Sequence, residues 1–157
     1  MSLSTVETLI ERIAALMTAD SAFIGTTYAV EKIYNRPVPM PPENVCVSVY
    51  TNKTPKVQVS DTGFDDVVYE IIIETHYCQY DEEGSKDVAD LLAQRLRTFI
   101  DANVADGTNW YNSGKYYDGQ DTEITKSIGI RGEGDKAQPF SWIITATWPI
   151  VAYVQRS

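Results

Sequence analysis

Three side chains that can transfer protons or bind metal ions lie close together in one segment. Glu70, Glu74 and His76 share one face of a predicted strand, and three more acidic residues follow at 81–83. Residues two apart on a strand lie about 6.8 Å from each other, so only an adjacent pair such as Glu74 and His76 can converge on one ion. The pattern is more typical of a solvated acidic face than of a metal site, and we expect no metal ion and no cofactor.

A second candidate for chemistry is a thiol beside an imidazole, because Cys78 lies two residues after His76. His76 is the only histidine of the chain, and no third group that would orient its ring is evident. Without a positive charge nearby, a thiol stays protonated and unreactive. We therefore expect Cys46 and Cys78 to be free, buried thiols in a reducing compartment, since a disulfide between them would require neighbouring strands.

The sharpest enzymatic signal is Asp61-Thr62-Gly63, which an acidic pair at 65–66 follows. It resembles the Asp-Thr-Gly signature of retroviral-type aspartic proteases. The resemblance implies a dimer in which two copies of Asp61 share a proton and activate water. However, Phe64 stands where those proteases have a small residue, and Asp-Thr-Gly also suits an ordinary turn. We expect no enzyme and keep the protease as an alternative.

These residues need a scaffold, and the clearest part of it is a long strand followed by an amphipathic helix. In residues 67–77 the odd positions 67, 69, 71, 73 and 77 are apolar and predict a core face, whereas the even positions are mixed. After an acidic turn, Ser85 is predicted to cap a helix over 85–100. Its apolar stripe consists of Val88, Leu91, Leu92, Leu96, Phe99 and Ile100.

The rest of the chain supplies a second helix and further strands. A helix is predicted from Ser4, where Ser-x-x-Glu resembles a capping box. Strands are predicted over 27–34, over 45–50 and 56–60 as a hairpin, over 124–130 and over 140–154, with a proline-rich segment at 36–42 and a long excursion at 101–123. The predicted fold is a single α+β domain over 1–157, with a mainly antiparallel or mixed β-sheet packed by two amphipathic helices.

Charge and hydropathy exclude some classes of partner. The chain has a net charge of -9 and no basic run, which opposes binding to nucleic acid through its phosphates. An acidic surface also discourages contact with anionic lipid. No long apolar segment and no basic, then apolar, N-terminal leader is present, so we expect neither membrane insertion nor secretion.

The order of the elements resembles the tail-terminator and neck-terminator proteins of long-tailed bacteriophages and prophages. The resemblance rests on Asn35-Arg-Pro-Val-Pro-Met-Pro-Pro42 before the strand at Val45, on the strand at 69–77 that leads into helix 85–100, and on the aromatic closing strand at 142–153. It implies a ring homo-oligomer, commonly a hexamer, that caps the tail tube and joins it to the head connector. Such a subunit lies in the host cytoplasm during assembly and then in the tail or neck of the virion.

If the chain forms a ring, two kinds of surface are candidates for its contacts. The mixed strand faces predict that Val68, Ile72 and Ile143 contribute to subunit contacts. The loops at 51–66 and 110–121 are candidates to face the tube or the lumen, which singles out Trp110, Tyr111, Tyr116 and Tyr117. Two alternatives stay open: these residues lie beneath the chain's own helices, or the chain is a small cytosolic module that binds one other protein.

Overall fold

The computed structural model describes residues 3–38, 44–59, 64–79, 82–103, 116–119, 122–130 and 140–155. These residues form three helices and seven strands. In chain order they are α1 Leu3–Ala19, α2 Ser21–Ile24, β1 Lys32–Tyr34, β2 Val45–Tyr50, β3 Lys56–Gln58, β4 Phe64–Gln79, α3 Glu82–Asn103, β5 Tyr116–Gly119, β6 Glu123–Ile130 and β7 Phe140–Gln155.

Two strands of 16 residues, β4 and β7, form the centre of the sheet. They pair antiparallel from Phe64 opposite Gln155 to Gln79 opposite Phe140, a ladder about 50 Å long. The predicted alternation is confirmed in both strands. The odd apolar positions of β4 are at most 4% exposed, and the fully buried positions of β7 are Ile144, Ala146, Trp148 and Ile150.

The other strands flank this central pair. β2 and β3 pair with the free edge of β4, while β5 and β6 pair with the free edge of β7. β1 extends the sheet beyond β2 and is parallel to it, and every other pairing is antiparallel. The sheet is therefore mixed and mainly antiparallel, as predicted.

The predicted hairpin of residues 45–50 and 56–60 is wrong. β2 pairs with residues 72–77 of β4 and β3 pairs with residues 66–68, so the two strands follow one another along the same edge. At the gap between them, the Thr51 hydroxyl donates a hydrogen bond to the carbonyl oxygen of Glu70 at 2.8 Å. Pro55 has no N–H to continue the ladder, so the edge is interrupted and a side chain satisfies the exposed carbonyl.

Both long helices lie on one face of the sheet. The buried core joins Leu9, Ile13 and Met17 of α1, and Leu92, Leu96 and Phe99 of α3, to the residues of β2, β4 and β7 that face the helices. An ion pair between Lys126 of β6 and Asp90 fixes α3 across the sheet. The fold class is α+β, as the sequence predicts.

The ends of several elements differ from the prediction. α3 begins at Glu82, so Ser85 lies inside the helix and does not cap it. The strand expected from residue 27 begins only at Lys32, because Tyr28 has a left-handed backbone, with φ 52°, that no strand accommodates. The excursion at 101–123 includes the end of α3 and the strand β5. None of the described helices is long and apolar enough to cross a membrane.

Candidate functional site

The sheet has an outer face, defined here as the side chains of β2, β4, β6 and β7 that point away from the helices. Strand register places Cys46 opposite His76, Ser48 opposite Glu74, and Tyr50 opposite Ile72. On the other side of β4, the same rows continue to Ile143, Thr145 and Thr147 of β7. The candidate residues from the sequence therefore share a face with polar groups of β2 that the sequence analysis did not single out.

Three residues of the outer face form a hydrogen-bonded cluster, which we call the outer-face triad: Tyr50, Glu74 and His76. The Tyr50 hydroxyl donates to Glu74 Oε1 at 2.5 Å. His76 Nε2 lies 3.3 Å from Glu74 Oε2. The side chains of His76 and Glu74 are 3% and 21% exposed. One carboxylate thus binds a buried imidazole and a partly buried hydroxyl.

The triad stabilises the charged form of Glu74. The hydrogen bond with His76 lowers the pKa of the Glu74 carboxyl, and the bond from Tyr50 acts in the same direction, while burial opposes both. Burial raises the pKa of the Tyr50 hydroxyl, and the neighbouring Glu74 raises it further. Tyr50 is therefore a neutral donor and Glu74 an ionised acceptor at neutral pH.

Ser48 is not accessible as a nucleophile in this geometry. Ser48 stands in register with Glu74, but its side chain is fully buried and its Oγ has no hydrogen-bond partner. His76, which would have to activate it, is in contact with Glu74 at Nε2 and is itself buried. A substrate therefore has no access to Ser48 in this position. Within the described part of the chain, no three His, Cys, Asp or Glu side chains are grouped to hold a metal ion.

The triad makes stability depend on pH. Because the pKa of Glu74 is lower in the folded chain, ionised Glu74 stabilises the fold above the ordinary value of 4.5, and this contribution is lost as the pH falls from there through the folded pKa. We expect Glu74→Gln to lower the free energy of unfolding by about 1–3 kcal/mol at pH 7, and by less at pH 3. Urea unfolding at both pH values measures this.

Glu123→Gln is the matched control for that experiment, because Glu123 lies on the same sheet but is exposed. We expect its unfolding curves to follow those of the wild-type chain at both pH values. If Glu74→Gln and Glu123→Gln change with pH in the same way, the triad does not stabilise the fold through its charge.

The predicted contact residues of the central strands lie on the outer face. Val68 and Ile143 are half-exposed, whereas Ile72 is only 8% exposed. These three residues do not lie beneath the described long helices, because α1 and α3 pack on the opposite face. Their role in subunit contacts stays a prediction, and Val68 and Ile143 offer more surface for it than Ile72 does.

The remaining predicted site residues fall into two groups. Tyr116 and Tyr117 belong to β5, in register with Tyr153 and Ala152 of β7. Trp110, Tyr111 and the Asp61-Thr62-Gly63 motif lie outside the described residues.

Neither cysteine forms a disulfide. Cys46 is buried, as predicted, whereas Cys78 is half-exposed. Cys78 lies two residues after His76, near the end of β4. The contact that the structure gives for His76 Nε2 is with Glu74, as part of the outer-face triad, and not with Cys78.

A cleft of about 290 Å³ lies between α2 and α3, and its lining includes the apolar Phe23, Leu91 and Phe99 and the polar Asp20, Gln94, Arg95 and Thr98. Its two charged groups are already engaged. Asp20 Oδ1 accepts hydrogen bonds from the N–H groups of residues 22 and 23 and caps α2, and Arg95 binds the carbonyl oxygens of residues 27 and 28. Ligand sites need polar groups that are available to orient the ligand, so the cleft is a weaker candidate than the sheet.

No family model matches the chain, and no curated protein matches it. Among solved structures, the fold is similar to that of a chain in a structure described as "Virion of native gene transfer agent (GTA) particle". The two chains are 16% identical, with a TM-score of 0.53, and the similarity covers 97% of this chain and 99% of the other. The two proteins share a fold over nearly their whole length.

Proposed function

We propose that this chain is a structural subunit of a phage-like particle. The observation that carries the proposal is the similarity of its fold to a chain of a gene transfer agent virion, over 97% of this chain and 99% of that one. The proposal agrees with the resemblance of the element order to tail and neck terminators. On this proposal the chain acts by contacting other proteins, without catalysis. It lies in the host cell while the particle is assembled and afterwards in the particle itself.

The finer role that we propose is a tail terminator or neck subunit, which forms a ring on the tail tube and joins it to the head connector. The long β4–β7 ladder supports this role because it provides a stiff frame on which loops at both ends can meet different partners. The net charge of -9 supports it as well, since a ring that DNA must pass through benefits from repelling phosphate.

Deletion of the gene in a strain that produces the particle tests this role. We expect tails of uncontrolled length and heads without attached tails, because nothing stops polymerisation of the tube or prepares its end for the head. Electron microscopy measures tail length, and mass spectrometry of purified particles shows whether the chain is present. Wild-type particles in the deletion strain would overturn the terminator role, and absence of the chain from intact particles would overturn the structural role altogether.

A further inference from the structure

One end of the sheet is a four-stranded ribbon whose two outer edges pair with no other described strand. Its strands, in order across the sheet, are β3, the first residues of β4, the last residues of β7, and β5. Register aligns them in rows across the whole ribbon. One row is Lys56, Val68, Val151 and Asp118, and the next is Val57, Val67, Ala152 and Tyr117. Among the described strands, β3 pairs only with β4, and β5 only with β7.

The directions of these strands fit a second copy of the chain. Each neighbouring pair in the ribbon is antiparallel, so β3 and β5 run in opposite directions. If a second copy lies beside the first in the same orientation, its β3 meets β5 as another antiparallel neighbour. The sheet then continues from one copy to the next without a change in pattern. Contacts of this head-to-tail kind close into a ring when the rotation between copies allows it.

The two edges carry opposite charge. β3 contains Lys56 and no acidic residue, and β5 contains Asp118 and no basic residue. Opposite charges favour the contact of β3 with β5, whereas two copies of β3 placed side by side would bring like charges together.

Apolar exposure also points to the β3 edge. Val57 and Val59 are 53% and 68% exposed, more than any other large apolar side chain whose exposure the structure describes. Exposed valines at a strand edge invite pairing with another chain, which proteins normally suppress. The edge is also held in place, because Thr51 Oγ1 donates to the Glu70 carbonyl and Lys53 Nζ lies 3.1 Å from Glu70 Oε2. A positioned edge loses little entropy on binding.

We infer that β3 of one copy pairs antiparallel with β5 of the next, so that neighbouring subunits share one continuous sheet. This inference rests on the proposed ring and names the surface that builds it. It places Tyr116 and Tyr117 in the contact between subunits, together with Val57 and Val59.

Cysteine cross-linking tests the contact. The double-cysteine chain carries Val57→Cys and Tyr117→Cys, and also Cys78→Ser to remove the half-exposed thiol. It is oxidised both as concentrated purified protein and in assembled particles. Head-to-tail pairing predicts a ladder of covalent oligomers on a non-reducing gel, and loss of the ladder when either new cysteine is absent. Lys56→Cys/Asp118→Cys, from the neighbouring row, is the second variant if the first does not fold. Val59→Lys in the double-cysteine chain should abolish the ladder, whereas Leu91→Lys, on α3, should leave it intact.

The outcomes separate this inference from the proposed function. Dimers from Val57→Cys alone would show that two β3 edges pair, which overturns the inference. If the double-cysteine chain is present in particles but gives only monomers after oxidation, the inference is also overturned, while the structural role stands. A ladder from the purified protein combined with absence of the chain from particles would confirm the contact and overturn the proposed function.

Discussion

Trp148→Ala is expected to lower the free energy of unfolding by about 3–5 kcal/mol, the usual range for truncating a large buried aromatic side chain. Trp148 lies in the middle of β7, is 0% exposed, and stands in register with Ile71 of β4. Its ring packs edge-on against Phe99 of α3 at 6.5 Å between centroids, and Phe99 in turn packs against Phe23 of α2 at 5.3 Å. Removing the indole leaves a cavity where the sheet meets two helices.

Urea unfolding followed by circular dichroism measures this loss. Leu91→Ala is the matched control, because Leu91 lies on α3 but is 37% exposed, and we expect a change below about 1 kcal/mol. Trp148→Phe keeps most of the apolar volume and should fall between the two. If Trp148→Ala costs no more than Leu91→Ala, the contact between α3 and β7 is not the centre of the core.

The long strands were predictable because their two faces differ in chemistry. Along β4 and β7, every second residue is apolar over many residues, and such alternation persists only when one face is buried. The same alternation placed Val68 and Ile143 on the face that the helices leave uncovered. Length made these predictions robust, since a slip of one residue would have turned all the core residues outward.

The hairpin prediction failed because proximity along the chain says little about pairing. β2 and β3 are separated by only five residues, yet both pair with β4, whose length offers two places on one edge. Nothing in the local sequence distinguishes this arrangement from a hairpin. α2 has four residues and β1 has three, too few for any periodic pattern to be read.

The outer-face triad was also beyond the reach of sequence, although Glu74 and His76 were recognised as partners on one face. Tyr50 joins them only because β2 pairs with β4 in one particular register. The alternation of Cys46, Ser48 and Tyr50 opposite the apolar face of β2 was the available signal. It showed which residues share a face but not which residues they meet. Sites built across strands depend on register, and register follows from the whole sheet.

Gly25→Ala is expected to destabilise the fold through both backbone strain and a steric conflict. Gly25 ends α2 with φ 74° and ψ 169°, a region that almost only glycine occupies, and an alanine there costs about 1–3 kcal/mol. Its Cβ would lie 2.6 Å from Cζ of Arg95. Arg95 would then have to move, although its guanidinium donates to the carbonyl oxygens of Thr27 at 2.6 Å and Tyr28 at 3.1 Å.

A double-mutant cycle with Arg95→Ala separates the two effects. In the wild-type background, Arg95→Ala should cost about 1–3 kcal/mol, because two carbonyl oxygens lose a charged donor. In the Gly25→Ala background it should cost much less, since the added methyl group has already displaced the guanidinium. Strictly additive losses in urea unfolding would show that Arg95 keeps its hydrogen bonds and that backbone strain alone accounts for the loss. Strong coupling would show that the missing side chain of Gly25 leaves the space in which Arg95 of α3 binds the segment between α2 and β1.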